Sequence, residues 1–495
     1  SLPFALLIVG LALNLYCGAA ARQFKRLASV PGWPLYALII GGMGFLNTWD
    51  FPVYAFVAVA ALALGRWRAA RFELLDTLAD LAILAFAGVL FYLPFYRGLT
   101  SQARGLLPNL INGTRPAQFF VMFGPFIVIG LLLGLVLLIE AIRSKRVRWM
   151  PFSARSVIGA IGLIAIAVIG TAAISTIEVA LSQTARDASQ GLVNTLAQAG
   201  VTPADYLLAR LMSPWVPLGL AIGIAAIVFL WRTSRSRQLA ESDGAPASPS
   251  IGGFDFVLLL YAIGLLLTFA AEFVYIGDNF GTRMNTVFKL YYQTWALWSV
   301  ASAFGVYYLL REITGLKSFG RIASVSVSAV AIGLGLVYPL LAIPAKADAV
   351  NPTLDAVQAT AVSIPDEAAA IDWLNLYAAD DAIVLEAPGD EYNAGTSRVS
   401  TWTGLSTVVG WSGHESQWRG DCVIQCPRVD DVNIIYTSPD AAKVMDLLNK
   451  YQVTYVYIGP NERRLYPASA LDKFDRLLPS VFRQGLVVLY QVTKK

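Results

Sequence analysis

The sequence predicts a polytopic α-helical membrane protein of about ten spans, followed by a soluble α/β domain on the extracytoplasmic side. Three observations predict it. The 495-residue chain is 56% hydrophobic and only 14% charged, against about 25% charged in an average soluble domain. Its mean hydropathy is +0.59, and several runs reach the roughly 18 apolar residues that cross a hydrocarbon core of about 30 Å. Finally, its basic residues alternate in density along the chain. Five clusters (Arg22/Lys25/Arg26, Arg66/Arg68/Arg71, Arg143/Lys145/Arg146/Arg148/Arg155, Arg232/Arg235/Arg237 and Arg311/Lys317/Arg321) hold 17 basic residues, and the intervening segments hold 7. Positive residues accumulate on the cytoplasmic side of spans, so the five clusters are expected on the cytoplasmic side, and the chain in the cytoplasmic membrane.

The expected spans are 1–20, 33–48, 51–65, 73–96, 117–141, 156–177, 214–232, 253–276, 291–310 and 322–343, together a membrane domain of residues 1–344. With the basic clusters inside, Ser1 and the end of the tenth span both face out. The second and third spans meet at NTWDFP (47–52), a tight outer turn marked by Asn, Asp and Pro. Two outer loops are longer: 97–116, rich in Gly and Pro, and 178–213, with the composition of an interfacial amphipathic helix. RTSRSRQLAESDGAPASPSIGG (232–253) reads as an inner, mobile linker. The chain opens without Met or a signal peptide on an apolar run, as expected of a piece of a longer protein or of one whose first half is a separate chain.

From residue 345 to 495 the composition is that of a soluble domain. DEAAAIDWLNLYA (366–378) has helical spacing, and AIVLEA (382–387), VTYVYIG (453–459) and LVVLYQV (486–492) read as strands. Ser438-Pro439-Asp440 reads as a helix start, with Ser at the cap and Pro in the first helical position. Cys422 and Cys426 are a disulfide candidate in an oxidising compartment, although spacing alone does not fix bridging geometry. Zinc is the weaker reading, since His414 is the only His in the chain and a structural zinc site takes four ligands. Cys17, within a span, is expected to act as a small apolar residue.

The densest polar segment is GDNFGTRMNTVFKLYYQ (277–293), between two apolar runs. As a helix it places Asn285, Lys289 and Tyr292 on one face with Gln293 beside them, and Met284, Phe288, Tyr291 and Trp295 on another. A cation at membrane depth costs about 2.5–3.5 kcal/mol unless paired or hydrated. Glu272, Asp278 or a bound anion are the candidate partners of Lys289. Two readings stay open: a structural ion pair with interfacial aromatic anchors, or an outer-face site for a phosphate-bearing ligand with Arg283 and Lys289 as counter-charges.

Glu272-Phe-Val-Tyr, Asp278, Arg283-Met-Asn-Thr-Val-Phe-Lys289 and Tyr291-Tyr292-Gln293 resemble the signature of the YYY-type multi-spanning membrane proteins (domain of unknown function 2298). GFLNTWDFP (44–52), GWSGHESQWRG (410–420) and YVYIGPNERRLY (455–466) are similar to further motifs of that family. The family is grouped with the GT-C glycosyltransferases. The resemblance therefore implies a GT-C-like membrane fold, a polyprenyl-phosphate sugar donor used on the outer face, and a soluble C-terminal domain. It also implies that the name-giving Tyr triplet, and the essential carboxylate of a first outer loop, precede Ser1, so that this chain is the C-terminal portion and a separate chain is a candidate source of the rest.

Asp50 is then a candidate base or ligand of a divalent metal, or simply the cap of the third span. Asp278 is a second candidate for base or metal ligand. His414, a candidate base, is expected to line an outer pocket with Trp411, Glu415, Trp418 and Arg419, where aromatic faces suit sugar rings and Arg suits phosphate; a loop His satisfied locally is the plainer alternative. Tyr291 and Tyr292 would shape the same sugar or acceptor site, and Glu272, Asn285 and Gln293 would line it. Asn112-Gly-Thr matches a glycosylation pattern. Neither GxSxG nor a Walker sequence is present. Membrane lipids are the expected surroundings. Nucleic-acid binding is not expected, because orientation already explains the basic clusters. The leading expectation is a polyprenyl-phosphate-dependent glycosyltransferase, the second a non-catalytic scaffold or accessory subunit, and the third a transporter, which would want its polar groups at the midplane.

Overall fold

The computed structural model describes residues 2–99, 105–109, 113–143, 149–198, 200–241, 252–278, 282–311, 318–346, 355–389, 391, 393, 395–419 and 421–493. They fall into two compact units, divided between Tyr338 and Pro339. Asn112 and most of the Gly-, Ser- and Pro-rich part of the expected linker lie outside the described residues.

The first unit is helical: α1 (Leu2–Ala20), α2 (Trp33–Leu46), α3 (Asp50–Arg68), α4 (Leu74–Phe91), α5 (Leu93–Gly98), α6 (Pro116–Arg143), α7 (Trp149–Leu181), α8 (Gln183–Gln198), α9 (Pro203–Met212), α10 (Trp215–Glu241), α11 (Gly252–Phe273), α12 (Met284–Arg311) and α13 (Ser318–Lys346), the last of which runs on past Tyr338 into the second unit. Eight of them are long and apolar enough to cross a membrane. α2 has 14 residues, and α12 is long but polar in its opening turns. The chain is thus a polytopic membrane protein. α10 continues to Glu241 into the expected linker, because Arg-Gln-Leu-Ala-Glu are good helix formers and the first Gly comes later, at 244.

Lipid tails give apolar helices no hydrophobic reason to associate, so close packing of small residues holds them together. A side chain on Gly65 of α3 would begin 2.5 Å from the Tyr16 carbonyl and 2.8 Å from Ala19 Cβ of α1. One on Gly41 of α2 would begin 2.6 Å from the Gly88 carbonyl of α4. Trp298 of α12 fills the space beside Gly264 of α11 and donates to the Tyr261 carbonyl at 3.1 Å.

At the far end of α3 from Asp50, about 24 Å away at 1.5 Å per residue, lies a belt of buried charge. Asp80 is fully buried on α4. It accepts from Arg66, from the Arg26 side chain at 3.2 Å and from the Leu27 amide at 3.2 Å. Asp76 takes Arg26 at 2.7 Å and Lys25 at 3.5 Å, and Glu73 takes Lys25 at 3.2 Å. Beside them Arg68 pairs with Asp255 of α11 at 3.0 Å and donates to Tyr16 at 2.7 Å. Arg66 and Arg68, expected only to orient the chain, are therefore neutralised inside the helix packing.

The second unit holds α14 (Ala356–Ala361), α15 (Pro365–Tyr377), β3 (Ile383–Leu385), α16 (Arg398–Thr403), β4 (Ser406–Thr407), α17 (Ser412–Arg419), α18 (Gln425–Thr437), α19 (Ala441–Lys450), β5 (Tyr455–Ile458), α20 (Pro460–Leu465), α21 (Ala468–Leu471), α22 (Phe474–Leu477), β6 (Ser480–Gln484) and β7 (Val487–Gln491); β1 (Leu106–Pro108) and β2 (Val274–Ile276) belong to the first unit. The sheet order is β4-β3-β5-β7-β6, with β4, β3 and β5 parallel and the other pairs antiparallel. Side chains alternate across it: Val456, Ile458, Val488 and Tyr490 face one core and Tyr455, Tyr457, Val487 and Leu489 the other. The helix expected to start at Ser438 starts at Ala441 instead. Asp440 is its cap, because its extended backbone lets the carboxylate accept from the Ala442 and Lys443 amides at 3.0 and 3.2 Å.

Replacing Asp80 by Ala strands two guanidinium groups and is expected to destabilise the purified protein by about 3–5 kcal/mol. Glu73→Ala, at a pair whose side chains are 52% and 58% exposed, is expected to cost under about 1 kcal/mol. Unfolding in detergent, followed by temperature, checks both.

Candidate functional site

The polar segment is organised by a short ribbon. β1 pairs antiparallel with β2, and the Asn109 amide donates to the Phe273 carbonyl at 2.8 Å. The Asn109 side chain donates to the Glu272 carbonyl at 3.1 Å. The ribbon brings Thr114, just before α6, against the end of α11.

Two polar centres result. In the first, the fully buried Glu272 accepts from Arg283 at 2.8 Å, from the Thr114 amide at 3.2 Å and from the Thr114 hydroxyl. A hydroxyl has one proton and two acceptor sites. Thr114 spends its proton on Glu272, so Arg283 at 2.9 Å and Tyr291 at 3.0 Å both donate to it. Arg283 also donates to the Ala271 carbonyl at 3.0 Å. Glu272, expected as a partner for Lys289, belongs to Arg283. Tyr291, expected on the Met284–Phe288–Trp295 stripe, turns inward instead and packs on Phe119 and Phe123, while those three stay exposed. The hydrogen bond to Thr114 is what draws it in. Tyr292 is 38% exposed.

In the second centre Asp50 is buried at the first turn of α3 and accepts from Gln293 at 2.7 Å and Asn47 at 3.0 Å. Tyr54 donates to Gln293 at 2.6 Å. The cap position of α3 is Trp49, which makes no side-chain cap bond, so the simple capping role for Asp50 is replaced by a tie to α12. One turn earlier on α12, the Lys289 ammonium sits 4.8 Å over the Trp49 ring. One turn before that, Asn285 donates to Asp278 at 2.8 Å. Asp278 and Asp50 both act electrostatically on Lys289, yet among the described residues Lys289 makes no ion pair or hydrogen bond. Its neighbours on the same face, Asn285 and Gln293, hold the two carboxylates. The described residues include no group of three His, Cys, Asp or Glu able to hold a metal ion.

A cavity of about 600 Å³ runs between α6, α10, α11 and α12, lined by apolar residues including Phe119, Phe126, Leu220, Tyr261 and Trp298. None of the sequence-predicted site residues lines it. Of its lining residues, Phe119 meets Tyr291 of the first centre, with ring centroids 6.0 Å apart.

In the second unit Trp411 donates to Thr396 at 2.9 Å and its ring lies 5.2 Å from that of His414. Glu415 accepts from the Gly410 amide at 2.9 Å and pairs with Arg419 at 3.4 Å. The Trp418 side chain lies outside the described residues. Cys422 and Cys426 form a disulfide with Cα atoms 5.4 Å apart. The adjacent Gln425 donates to Ser416 at 2.7 Å, which secures α17.

Sequence reasoning missed Thr114, Asn47, Tyr54 and Trp49, the groups that complete both centres. Their signal was present: each is a polar or aromatic residue within a few positions of a span end.

The family model described as uncharacterized membrane protein (DUF2298) matches residues 1–298. That is more than half of the chain and includes both polar centres, and the chain belongs to this family. A search of curated proteins returns no match.

Burial pushes the Glu462 carboxyl up from 4.5 to about 7, although the Ala387 and Gly459 amides donate to it. A carboxyl raised on folding adds stability below its unfolded pKa and loses it as pH climbs through the folded one. Stability of the second unit is therefore expected to fall between about pH 4.5 and about 7, by on the order of 3 kcal/mol. Glu462→Gln should flatten that slope in unfolding curves taken across the range.

Proposed function

We propose that this member of the uncharacterized membrane protein family is a GT-C-like glycosyltransferase, taking a sugar from a polyprenyl-phosphate donor on the extracytoplasmic face of the cytoplasmic membrane. The observation that carries the reading is Lys289: a half-buried cation in a helix packed among spans, without an ion pair among the described residues. An uncompensated cation within a span costs up to about 2.5–3.5 kcal/mol at its centre, a cost that an anionic headgroup would offset. The apolar cavity of about 600 Å³ falls in the usual range of ligand sites, about 300–1,000 Å³, and suits an isoprenoid chain. The disulfide in the second unit supports an oxidising, extracytoplasmic setting for it.

In this reading the bond between the sugar's anomeric carbon and the phosphate oxygen breaks while the acceptor oxygen bonds to that carbon. Lys289 offsets the charge gathering on the departing polyprenyl phosphate. Asp50 takes the acceptor's proton, held in place by Gln293 and Asn47. Arg283, with its charge already matched by Glu272, positions α12 instead of meeting the phosphate. Asn285 keeps Asp278 from quenching Lys289. A second reading, a non-catalytic scaffold, is favoured by one observation: the Glu272–Arg283–Thr114 centre is closed upon itself.

Full chains in proteoliposomes, given radiolabelled mannosyl- and glucosyl-phosphoryl polyprenols with a lipid extract as acceptor, test the two readings. Asp50→Asn and Lys289→Met are each expected to cut transfer by about 100-fold or more without shifting the unfolding midpoint to match. Transfer by Lys289→Met at the unaltered rate would remove that residue from the chemistry, and absence of transfer by the unaltered chain would leave the scaffold.

A further inference from the structure

The second unit carries a feature that neither polar centre explains. In open sheets with parallel strands, ligands bind beyond the carboxyl ends where neighbouring strands send their connections in opposite directions. β3 lies between β4 and β5, parallel to both. The chain leaving β3 runs through α16 to β4 on one side, whereas the chain leaving β5 runs through α20 to α22 toward β6 and β7 on the other. The switch point lies between the carboxyl ends of β3 and β5, and the loops that follow β3 and β4 gather beside it.

Specific side chains hold that edge together. Glu462 spans it, one oxygen accepting from Ala387 after β3 at 2.8 Å and the other from Gly459 after β5 at 2.9 Å. Glu386 turns α16 back over β3 by accepting from the Val399 and Ser400 amides at 3.1 and 3.0 Å. The loop after β4 is drawn in from the side: Gly413 donates to Glu391 at 2.5 Å and Trp411 to Thr396 at 2.9 Å. Ser397 sits among these loops, 7% exposed, in a left-handed backbone (φ 53°). Its hydroxyl has no hydrogen-bond partner among the described residues and points toward Gly410, 3.9 Å from where a side chain there would begin. A buried hydroxyl left without a partner costs about 1–3 kcal/mol, a cost that a ligand held among these loops would offset.

We propose that this cluster of loops after β3 and β4 binds a neutral saccharide, with Trp411 as the stacking face and His414, Glu391, Glu415 and Ser397 as hydrogen-bonding groups. Charge decides the class. Glu391 and Glu415 bring carboxylates to these loops, while the nearby cations are engaged: Arg398 by Glu367 at 2.8 Å and Arg419 by Glu415 at 3.4 Å. A phosphate or nucleotide would find these two cations already taken. A metal ion would lack a set of three donors among the described residues. Sugar hydroxyls donate to carboxylates, and the apolar face of a pyranose packs on indole. The inference extends the proposed function by giving the chain a site for a glycan, and rests on that reading only for calling the glycan an acceptor.

Saturation-transfer NMR on the full chain in nanodiscs, with maltotriose, mannotriose and chitotriose as probes and no lipid-linked donor present, tests it. At least one probe is expected to show transfer, weakened about tenfold or more by Trp411→Ala and by His414→Gln. Tyr377→Ala, at a residue 67% exposed on α15, should change nothing. His414→Gln guards against a folding artefact at Trp411, and both variants are compared by unfolding midpoint. Silence of all three probes, or a signal that survives both substitutions, overturns the proposal. Because no donor is used, a failed glycosyl-transfer assay leaves this result standing, and the converse also holds.

Discussion

The Glu272–Arg283 pair is the constraint on which the membrane unit turns. A carboxylate and a guanidinium at the join of two spans can be kept there only as a matched, fully hydrogen-bonded set. Thr114 makes the set complete, donating to the acid and accepting from the base. To supply Thr114, the chain between α5 and α6 has to fold back as β1 on β2. The pair therefore fixes the end of α11, the start of α12 and the path of the loop before α6 at once. With α12 placed in this way, its next turns carry Lys289 over Trp49 and Gln293 against Asp50.

Charge is balanced elsewhere in the same unit. At the other end of α3, Lys25, Arg26 and Arg66 meet Glu73, Asp76 and Asp80, and Arg68 meets Asp255. These pairs hold helices in register, although Arg66 Nε and Nη1 are buried without a hydrogen-bond partner among the described residues. Lys289 differs in kind: the acids within its reach are engaged by amides on its own helix, and its described contact is an aromatic face. That contrast separates the proposed ligand-facing group from the structural charges, although all of them look alike in composition.

Much of the architecture was legible in the sequence, because span length and apolar content read directly as helices. The central strands of the second unit were also legible: AIVLEA, VTYVYIG and LVVLYQV contain β3, β5 and β7. The two-residue β4 and the exposed β6 were not, since neither has the buried alternation that marks a strand. At the site, the polar face of Asn285, Lys289 and Gln293 followed from helical period alone. Its partners did not. Asp50 and Gln293 are 243 residues apart, and Thr114 and Arg283 169 apart. Local pattern carries no record of pairings at that distance. The basic clusters were read as orientation signals, and the acids inside the fourth and eighth expected spans, Asp76, Asp80 and Asp255, were the overlooked sign that part of that charge is internal.

The most direct test of this account is a double-mutant cycle on Glu272→Leu and Arg283→Met, read as unfolding free energy of the purified chain. If the two side chains chiefly neutralise each other, each single change costs about 3–5 kcal/mol, and the double variant is more stable than the summed losses by about 0.5–3 kcal/mol. Losses that simply add would contradict it. Arg283 would then be acting on something other than Glu272, and the division between a locked pair and an open Lys289 would fall.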